Sequence, residues 1–378
     1  MTMKLRDYEQ QINRRDFIKA AGLATATAAF SSVTLAGKAA NDGQKIVVAL
    51  VGCAHIHTPS YAGYLASRPD VEVKYVWDHD ASRAERYANQ LKSKPVSDLN
   101  VIWKDPSVKG VVICSETNRH RELILAAAHA GKDIFAEKPL GVNAKEAFEM
   151  AKAMEDAKVK FTTGYFMRCD PKHLFLKDQV DKGNFGKITR IRGSNTHNGS
   201  LGGWFDGEYR WMADPKIAGV GAFGDMGTHS LDLMMWLIGD VSMVTADIKA
   251  VTHRYGDCDE TGEALLNFKN EVIGTLAAAW VDIDNPVSLL ISGTEAHAVI
   301  FKGELYYNCP KVPNASGQAP WTDLPPGLPE PIAQFLDAVA GKDVTTLVTP
   351  YEAATRVSVM EAAYKGSKQR AWFRPATA

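Results

Sequence analysis

A regular alternation of strand and helix patterns, which begins at Lys45, constrains the fold of this chain more than any other feature. The run from Ile46 to Val51 is continuously apolar, as expected of a strand that is buried on both faces. Helix-like stretches separate it from two further runs, Val71 to Trp77 and Val111 to Ile113. The order strand, helix, strand, helix is typical of a parallel doubly wound sheet. We therefore predict an α/β fold with a doubly wound N-terminal domain over residues 41–165.

The pattern changes after Tyr165. From Lys187 to Ser194 apolar and polar residues alternate, as in a strand with one buried face. Further strand-like runs follow between Val241 and Ile291, and helical patterns close the chain. Such strands predict an open, largely antiparallel sheet. We assign residues 166–378 to a C-terminal α+β domain that binds the substrate.

The first 40 residues read differently from the rest. The run Asn13-Arg14-Arg15-Asp16-Phe17-Ile18-Lys19 precedes an Ala- and Thr-rich stretch, and this pattern resembles a twin-arginine export signal. The stretch is too short and too rich in Thr and Ser for a membrane span. We predict a signal peptide over residues 1–40, export by the twin-arginine machinery to the periplasm, and no stable membrane insertion. The alternative is an amphipathic N-terminal helix that stays on the chain.

Composition excludes some function classes. The net charge is -1 at pH 7 and 23% of the residues are charged, so no nucleic-acid-binding surface is indicated. The five cysteines are scattered without a Cys-x-x-Cys pair, and an odd number cannot pair completely. Neither a disulfide framework nor a cysteine-bound metal is predicted.

The turn after the first apolar run stands where a dinucleotide fingerprint, Gly-x-Gly-x-x-Gly/Ala, receives the pyrophosphate. Only Gly52 matches outright, because Ala54 and His57 occupy the second and third positions. Asp78 ends the second strand, where a carboxylate accepts ribose hydroxyls and repels a 2′-phosphate. This favours a Rossmann domain that binds NAD, although nearby Arg83 leaves NADP open. The predicted cofactor contacts in this part are Gly52, Ala54, His55, Ile56 and Asp78.

A His-x-His pair, His55 and His57, also lies in this turn. Two such histidines suit zinc, but no third ligand is implied nearby, and we predict no metal. We expect the two histidines either to make a polar contact to cofactor or substrate or to have a structural role.

The segment Phe135-Ala136-Glu137-Lys138-Pro139-Leu140-Gly141 places a lysine just past a predicted strand. Ligands bind at strand carboxyl ends in open α/β sheets, and Pro139 biases Lys138 towards an extended conformation. The alternative is a surface lysine in a polar loop.

Hydride transfer from a carbinol needs a base for the hydroxyl proton and a charge near the developing alkoxide. His229 is the best candidate base because its ordinary pKa lies near working pH. Asp225 stands four residues earlier and would share its helix face. We predict that Lys138, Asp225 and His229 are catalytic. The alternative for His229 is a structural histidine at a helix N-terminus.

A polar, aromatic stretch lies between Asn195 and Trp211. Aromatic faces stack on pyranose rings, while amides read hydroxyl groups, so this composition favours a sugar or polyol site. The alternative is a loop whose aromatic residues cover the sheet. The predicted substrate contacts here are Asn195, His197, Trp204, Tyr209 and Trp211.

Four motifs together resemble the Gfo/Idh/MocA family (glucose-fructose oxidoreductase, inositol dehydrogenase and rhizopine catabolism proteins). They are Thr117-Asn118-x-His120, Glu137-Lys138-Pro139, the segment Gly164 to Arg168, and the Gly-rich run Gly219 to Asp232 with its Asp-x-Gly-x-His. The resemblance implies the catalytic group named above and a homo-oligomer that assembles through the open face of the second sheet. It further implies a substrate contact from Arg168 and cofactor contacts from Thr117, Asn118, His120, Glu137 and Lys138.

The function expected from these features is that of a periplasmic NAD(P)-dependent oxidoreductase that acts on a sugar or polyol carbinol. An exported enzyme cannot draw on the cytoplasmic nicotinamide pool, so its cofactor should be tightly bound. A glycosidase or lyase that oxidises a sugar carbon transiently with NAD would use the same residues. A sugar-binding or assembly protein without enzymatic activity is a third hypothesis.

Overall fold

The computed structural model describes residues 45–378, so the predicted signal peptide lies outside the described residues. The strands are β1 (Ile46–Cys53), β2 (Val71–Trp77), β3 (Lys94–Pro95), β4 (Gly110–Cys114), β5 (Asp133–Ala136), β6 (Phe161–Thr163), β7 (Ile188–Thr196), β8 (Val241–Lys249), β9 (Thr261–Phe268), β10 (Ile273–Ala279), β11 (Val287–Gly293), β12 (His297–Phe301) and β13 (Glu304–Asn308). The α-helices are α1 (Thr58–Ser67), α2 (Ala81–Leu91), α3 (Asn100–Trp103), α4 (His120–His129), α5 (Ala144–Asp156), α6 (Pro171–Asp181), α7 (Pro215–Ala218), α8 (Ala222–Ile238), α9 (Pro331–Val339) and α10 (Pro350–Gln369).

The first sheet has six parallel strands in the order β3-β2-β1-β4-β5-β6. The central strand β1 is buried on both faces: Val48 and Leu50 join one apolar core, and Ala49 and Val51 join the other. Helices α1 and α2 cover the first of these faces and α4 and α5 cover the second. The predicted doubly wound domain is confirmed.

The second sheet has seven strands in the order β13-β12-β11-β7-β10-β9-β8. Strands β7 and β10 pair in parallel, and the other neighbours are antiparallel, which confirms the largely antiparallel sheet. Helix α8 packs on the buried face through Leu231 and Met234. The opposite face carries exposed apolar residues, among them Leu265, Ile273 and Phe301.

The two closing helices contribute to cores on both sheets. In α9, Phe335 and Leu336 pack on the first sheet. In α10, Ala353 and Ala354 pack on the other face of the first sheet, while its Met360 belongs to the core of the second. The predicted boundary near residue 165 stays a prediction, and the chain returns to the first sheet after the second is complete. Within residues 45–378, no helix is long and apolar enough to cross a membrane.

Candidate active site

The ends of β1 and β5 face the first turns of α8, and three predicted catalytic residues meet there. Lys138 follows β5, and its Nζ donates to Asp225 Oδ1 at 2.7 Å. Asp225 lies in the first turn of α8, and its other oxygen accepts from Trp280 Nε1 at 3.1 Å. Both members of the ion pair are buried. No sequence pattern pointed to Trp280, which directly follows β10, because its contact with Asp225 depends on how β10 packs against α8.

Electrostatics keep the Asp225 carboxylate ionised. Burial alone would raise the pKa of Asp225, but the Lys138 ammonium outweighs it and holds the pKa below its ordinary value. A buried pair with satisfied oxygens is rigid. Lys138 is therefore a fixed cation rather than a mobile surface side chain.

His229 stands one turn further along α8 and completes the group. Its side chain is 4% exposed, and its Nδ1 is a buried atom without a hydrogen-bond partner among the described residues. Burial, followed by the Lys138 charge, lowers the pKa of His229 well below its ordinary value. The imidazole is thus neutral, and its Nδ1 can still form a hydrogen bond. A substrate hydroxyl is the chemistry that such a nitrogen accepts or donates to.

A second cluster was not expected from the sequence. His55, His57 and Glu137 have their ligand-type atoms within 4.8 Å of one another. The sequence implied no third group near the two histidines, but the structure supplies one. Glu137 lies 80 residues after His57, and its Oε1 is 3.1 Å from His57 Nδ1. The glutamate is fully buried. Burial alone would raise its pKa, but His55, His57 and Lys138 hold the pKa of Glu137 well below its ordinary value.

The hydrogen bonds of this cluster favour a proton network over a metal site. The backbone N–H of His57 donates to His55 Nδ1 at 3.2 Å. Burial lowers the pKa of His55 to about 3, so the ring is neutral and carries its proton on Nε2. Nε2 faces Glu137 Oε2 at 3.7 Å, and a protonated nitrogen does not ligate a metal. That the site holds no metal stays a prediction.

The dinucleotide turn has the geometry that its motif requires. Gly52 has φ +80°, and a Cβ there would lie 2.5 Å from the Ser115 Cβ, so the backbone of the turn approaches β4 closely. Asp78 Oδ2 accepts from Cys53 N at 2.6 Å and ties the turn to β2. Ala54 lies in the turn with its carbonyl facing Trp211, and His55 N donates to the Cys114 carbonyl. Ile56 is half-buried beside an aromatic cluster.

Arg83 occupies the ribose end of the predicted cofactor site. Its NH2 group donates to Asp78 Oδ1 and to Glu116 Oε1, both at 2.9 Å. Thr117 and Asn118 follow in a short 3-10 helix after β4, with Thr117 buried and Asn118 exposed. The acidic partner Glu116 was not singled out from the sequence, since nothing in its spacing relates it to Asp78.

The predicted sugar-binding stretch contacts both the dinucleotide turn and α8. His197 stacks against Trp204 with ring centroids 4.6 Å apart, and burial lowers the pKa of His197. Asn195 Nδ2 donates to the Met226 carbonyl on α8 at 3.0 Å. Trp211 Nε1 donates to the Ala54 carbonyl at 3.1 Å. Tyr209 packs in the aromatic cluster with the buried Trp280.

Two predicted residues lie elsewhere. Arg168 donates to both oxygens of buried Asp232, at 2.8 and 2.6 Å, and to Glu352. Its guanidinium is thus bound by two carboxylates, one on α8 and one on α10. His120 is fully buried, and its Nδ1 donates to the Leu140 carbonyl at 3.1 Å. This bond holds the loop after Lys138, and His120 Nε2 is a buried atom with no hydrogen-bond partner within residues 45–378.

Comparison with known proteins decides the family. A profile described as an oxidoreductase family with an NAD-binding Rossmann fold matches residues 46–165. The GFO/IDH/MocA C-terminal domain matches residues 173–299, and the two ranges together span more than half of the chain. The chain belongs to the GFO/IDH/MocA family. A twin-arginine translocation signal matches residues 11–31, which confirms the resemblance seen in the N-terminal sequence.

Two relatives in the GFO/IDH/MocA family carry the names of sugar or polyol dehydrogenases. Levoglucosan dehydrogenase of Pseudarthrobacter phenanthrenivorans is 33% identical over 55% of this chain and 59% of its own length. Myo-inositol 2-dehydrogenase of Thermotoga maritima is 32% identical over 48% of this chain and 53% of its own length. The chain therefore spans little more than half the length of these curated relatives.

Solved structures support the fold. Levoglucosan dehydrogenase in complex with NADH and L-sorbose superposes with a TM-score of 0.73 at 22% identity, over 88% of this chain and 99% of that one. GenD2 from gentamicin A biosynthesis in complex with NAD gives a TM-score of 0.70 at 22% identity, over 91% and 100%. The matched N-terminal half is an NAD-binding Rossmann domain.

Proposed function

We propose that this protein is an NAD-dependent oxidoreductase that acts on a carbinol of a sugar or polyol. One observation carries the proposal: the buried Nδ1 of neutral His229 has no hydrogen-bond partner within residues 45–378, and it lies on the helix that carries Asp225, the ion-pair partner of Lys138. A base and a fixed cation are what alcohol oxidation requires. The relatives named above act on sugars and inositols by name, which supports the substrate class.

The cofactor fits the turn between β1 and α1. Gly52 has no Cβ and a positive φ, which lets the turn pass close to Ser115, and the N-terminus of α1 then faces a pyrophosphate. Asp78 and the Thr117–Asn118 helix would hold the adenosine and nicotinamide sides. NAD, when bound, supplies the hydride acceptor. His229 accepts the hydroxyl proton and Lys138 stabilises the developing alkoxide. NADP is a second candidate cofactor, because the Arg83 guanidinium binds both Asp78 and Glu116 and offsets their negative charge.

We further propose export to the periplasm, with the cofactor bound tightly enough to travel with the folded chain. The signal match over residues 11–31 supports the first part. Mass spectrometry of the denatured protein, purified from the periplasm, should find NAD in about one copy per chain. Protein that retains no dinucleotide would favour the non-enzymatic hypothesis.

The activity is tested with Lys138 variants and a panel that includes levoglucosan and myo-inositol. Lys138→Ala should lower turnover by about 10²–10⁴-fold with NAD affinity nearly retained. It should also destabilise the fold, because Asp225 would remain as a buried unpaired charge. Lys138→Arg restores the cation, so the fold and part of the turnover should recover. Wild-type turnover in Lys138→Ala would contradict the role of Lys138.

A further inference from the structure

We propose that His57, oriented by Glu137, is a second general base of this site and removes a proton from the carbon beside a sugar carbonyl. The proposal rests on the proposed function, because it takes an oxidised sugar as its substrate class. The activity it adds is enolisation, with exchange of the carbon-bound proton. Nothing in the His229 group performs this step, since His229 already holds the hydroxyl proton once a carbinol has been oxidised.

The first argument is the tautomer of His57. Glu137 is fully buried and ionised, so it accepts hydrogen bonds and donates none. Its Oε1 lies 3.1 Å from His57 Nδ1, which places the ring proton on Nδ1. In the neutral form of this ring, the lone pair is therefore on Nε2. No partner of Nε2 is found within residues 45–378, and the side chain is 37% exposed. This is the form in which an imidazole acts as a base.

The second argument is the support around Glu137. Its Oε2 accepts from the backbone N–H of Lys138 at 3.0 Å, and burial, followed by the Glu137 charge, raises the pKa of neighbouring Tyr61. A carboxylate held in place by a backbone donor orients an imidazole and stabilises the cation that forms when it takes a proton. Because Glu137 and Lys138 are consecutive, His57 is anchored at the strand end that carries the alkoxide-stabilising cation.

The third argument is the position of His57 in the dinucleotide turn. The third fingerprint position is normally small, so that the helix packs closely. His57 is instead the N-cap residue of α1 and turns its ring to Glu137, with its ring centroid 4.6 Å from that of His55. The substitution thus puts an oriented imidazole where the motif has only backbone.

The step balances without an oxidant. The C–H bond next to the carbonyl breaks, its electron pair forms the enolate, and Nε2 takes the proton. His57 becomes a cation beside the Glu137 carboxylate. Return of a solvent-derived proton from Nε2 to the same carbon restores the ketone. In a glycoside with a leaving group on the next carbon, the enolate would expel it, which is the chemistry of the lyase hypothesis.

The experiment uses the purified full chain in D2O with two supplied ketones, 2-keto-myo-inositol and 1,5-anhydro-D-fructose, so that no redox step is needed. NMR follows deuterium entry at the carbon beside the carbonyl. The wild-type protein should exchange at least one ketone about 100-fold faster than His57→Gln. His129→Gln, at an exposed histidine that ends α4, is the control and should match the wild type.

Three results would overturn the inference: no exchange above buffer by the wild type on either ketone, equal exchange by His57→Gln, or a neutral His57 whose proton is on Nε2 in long-range ¹H–¹⁵N spectra. If His57→Gln loses NAD affinity but keeps exchange, His57 is a cofactor contact instead. The proposed oxidation is judged separately, by NADH formation from levoglucosan or myo-inositol. Its failure with intact ketone exchange would reject the oxidoreductase and leave His57 as an enolising base.

Discussion

Arg83 is the residue whose position bears most directly on cofactor choice. Its guanidinium bridges Asp78 and Glu116 at the ribose end of the proposed cofactor site. The cation offsets two carboxylates that would otherwise repel a 2′-phosphate. This arrangement explains at the level of single charges why Asp78 by itself does not decide between NAD and NADP.

Removal of that cation should sharpen the preference for NAD. Arg83→Gln leaves two carboxylates facing the 2′ position, so the Kd for NADP should rise at least about tenfold more than the Kd for NAD. Fluorescence titration with both nucleotides measures the ratio. Arg86→Gln is the control, because Arg86 lies on the same helix but pairs with Glu208, and it should shift both affinities alike. If Arg83→Gln raised the Kd values for NAD and NADP by the same factor, Arg83 would not lie at the ribose.

At the scale of elements, the N-terminus of α8 is held from outside the helix. Gly221, its N-cap, offers no capping side chain. Tyr364 of α10 supplies the acceptor instead: its hydroxyl accepts from Gly221 N at 3.1 Å and Gly224 N at 3.0 Å. The same hydroxyl donates to Asp259 Oδ1 at 3.0 Å. The turn that carries Asp225 is thus fixed by a helix from the end of the chain.

Tyr364→Phe should weaken both the fold and the site. Two buried backbone N–H groups and one carboxylate oxygen lose their partner, at a cost of about 1–3 kcal/mol in the free energy of unfolding. The turnover number should fall as well, since Asp225 loses its fixed position. Urea unfolding and steady-state kinetics measure both. Tyr306→Phe removes only a surface bond to Glu304 and should stay within about 0.5 kcal/mol of the wild type. Equal stability of the two variants would refute this cap.

At the scale of the whole molecule, buried histidines make the stability depend on pH. The pKa of His55 falls to about 3 in the folded chain, because burial disfavours the cation. The unfolded chain binds this proton near pH 6.5. Stability from His55 is therefore complete above pH 6.5 and is lost as the pH falls towards 3.

His55→Asn should lessen this dependence. Between pH 4 and 6 the slope of the unfolding free energy against pH should fall by about 1.4 kcal/mol per unit, one proton's worth. The Asn side-chain oxygen can replace Nδ1 as the acceptor for His57 N. Urea titrations at pH 4, 5, 6 and 7 give the slope, and identical slopes in the two proteins would show that His55 is not buried as a neutral ring.

The open face of the second sheet carries exposed apolar residues. Leu265 is 38% exposed, Ile273 52% and Phe301 41%, and a sheet face of this kind favours association. We predict a homo-oligomer through this face. Ile273→Glu should lower the mass measured by light scattering towards that of one chain, whereas Ile283→Glu, at an exposed loop residue, should not. A wild-type monomer would reject the prediction.

Much of this architecture follows from the sequence alone. A parallel strand covered by helices has no polar face, so the apolar run of β1 is sufficient to place it inside a doubly wound sheet. A one-face-buried strand must alternate, which identifies β7. The four-residue spacing of Asp225 and His229 sets them on one side of α8, because a helix turn repeats at that interval. Local patterns determine these features because their physical causes are themselves local.

Only the tertiary structure decided which side chains act on one another. Arg168 resembles a substrate residue until Asp232, 64 residues away, takes its guanidinium. In the sequence, His57 is only a departure from the dinucleotide fingerprint. In the fold, Glu137, which follows β5, lies within hydrogen-bond distance of it. Trp280 gives no signal at all before it donates to Asp225. These contacts depend on which strand ends and helix turns converge, and a hydrogen bond is decided by distances of a few tenths of an ångström that no sequence pattern encodes.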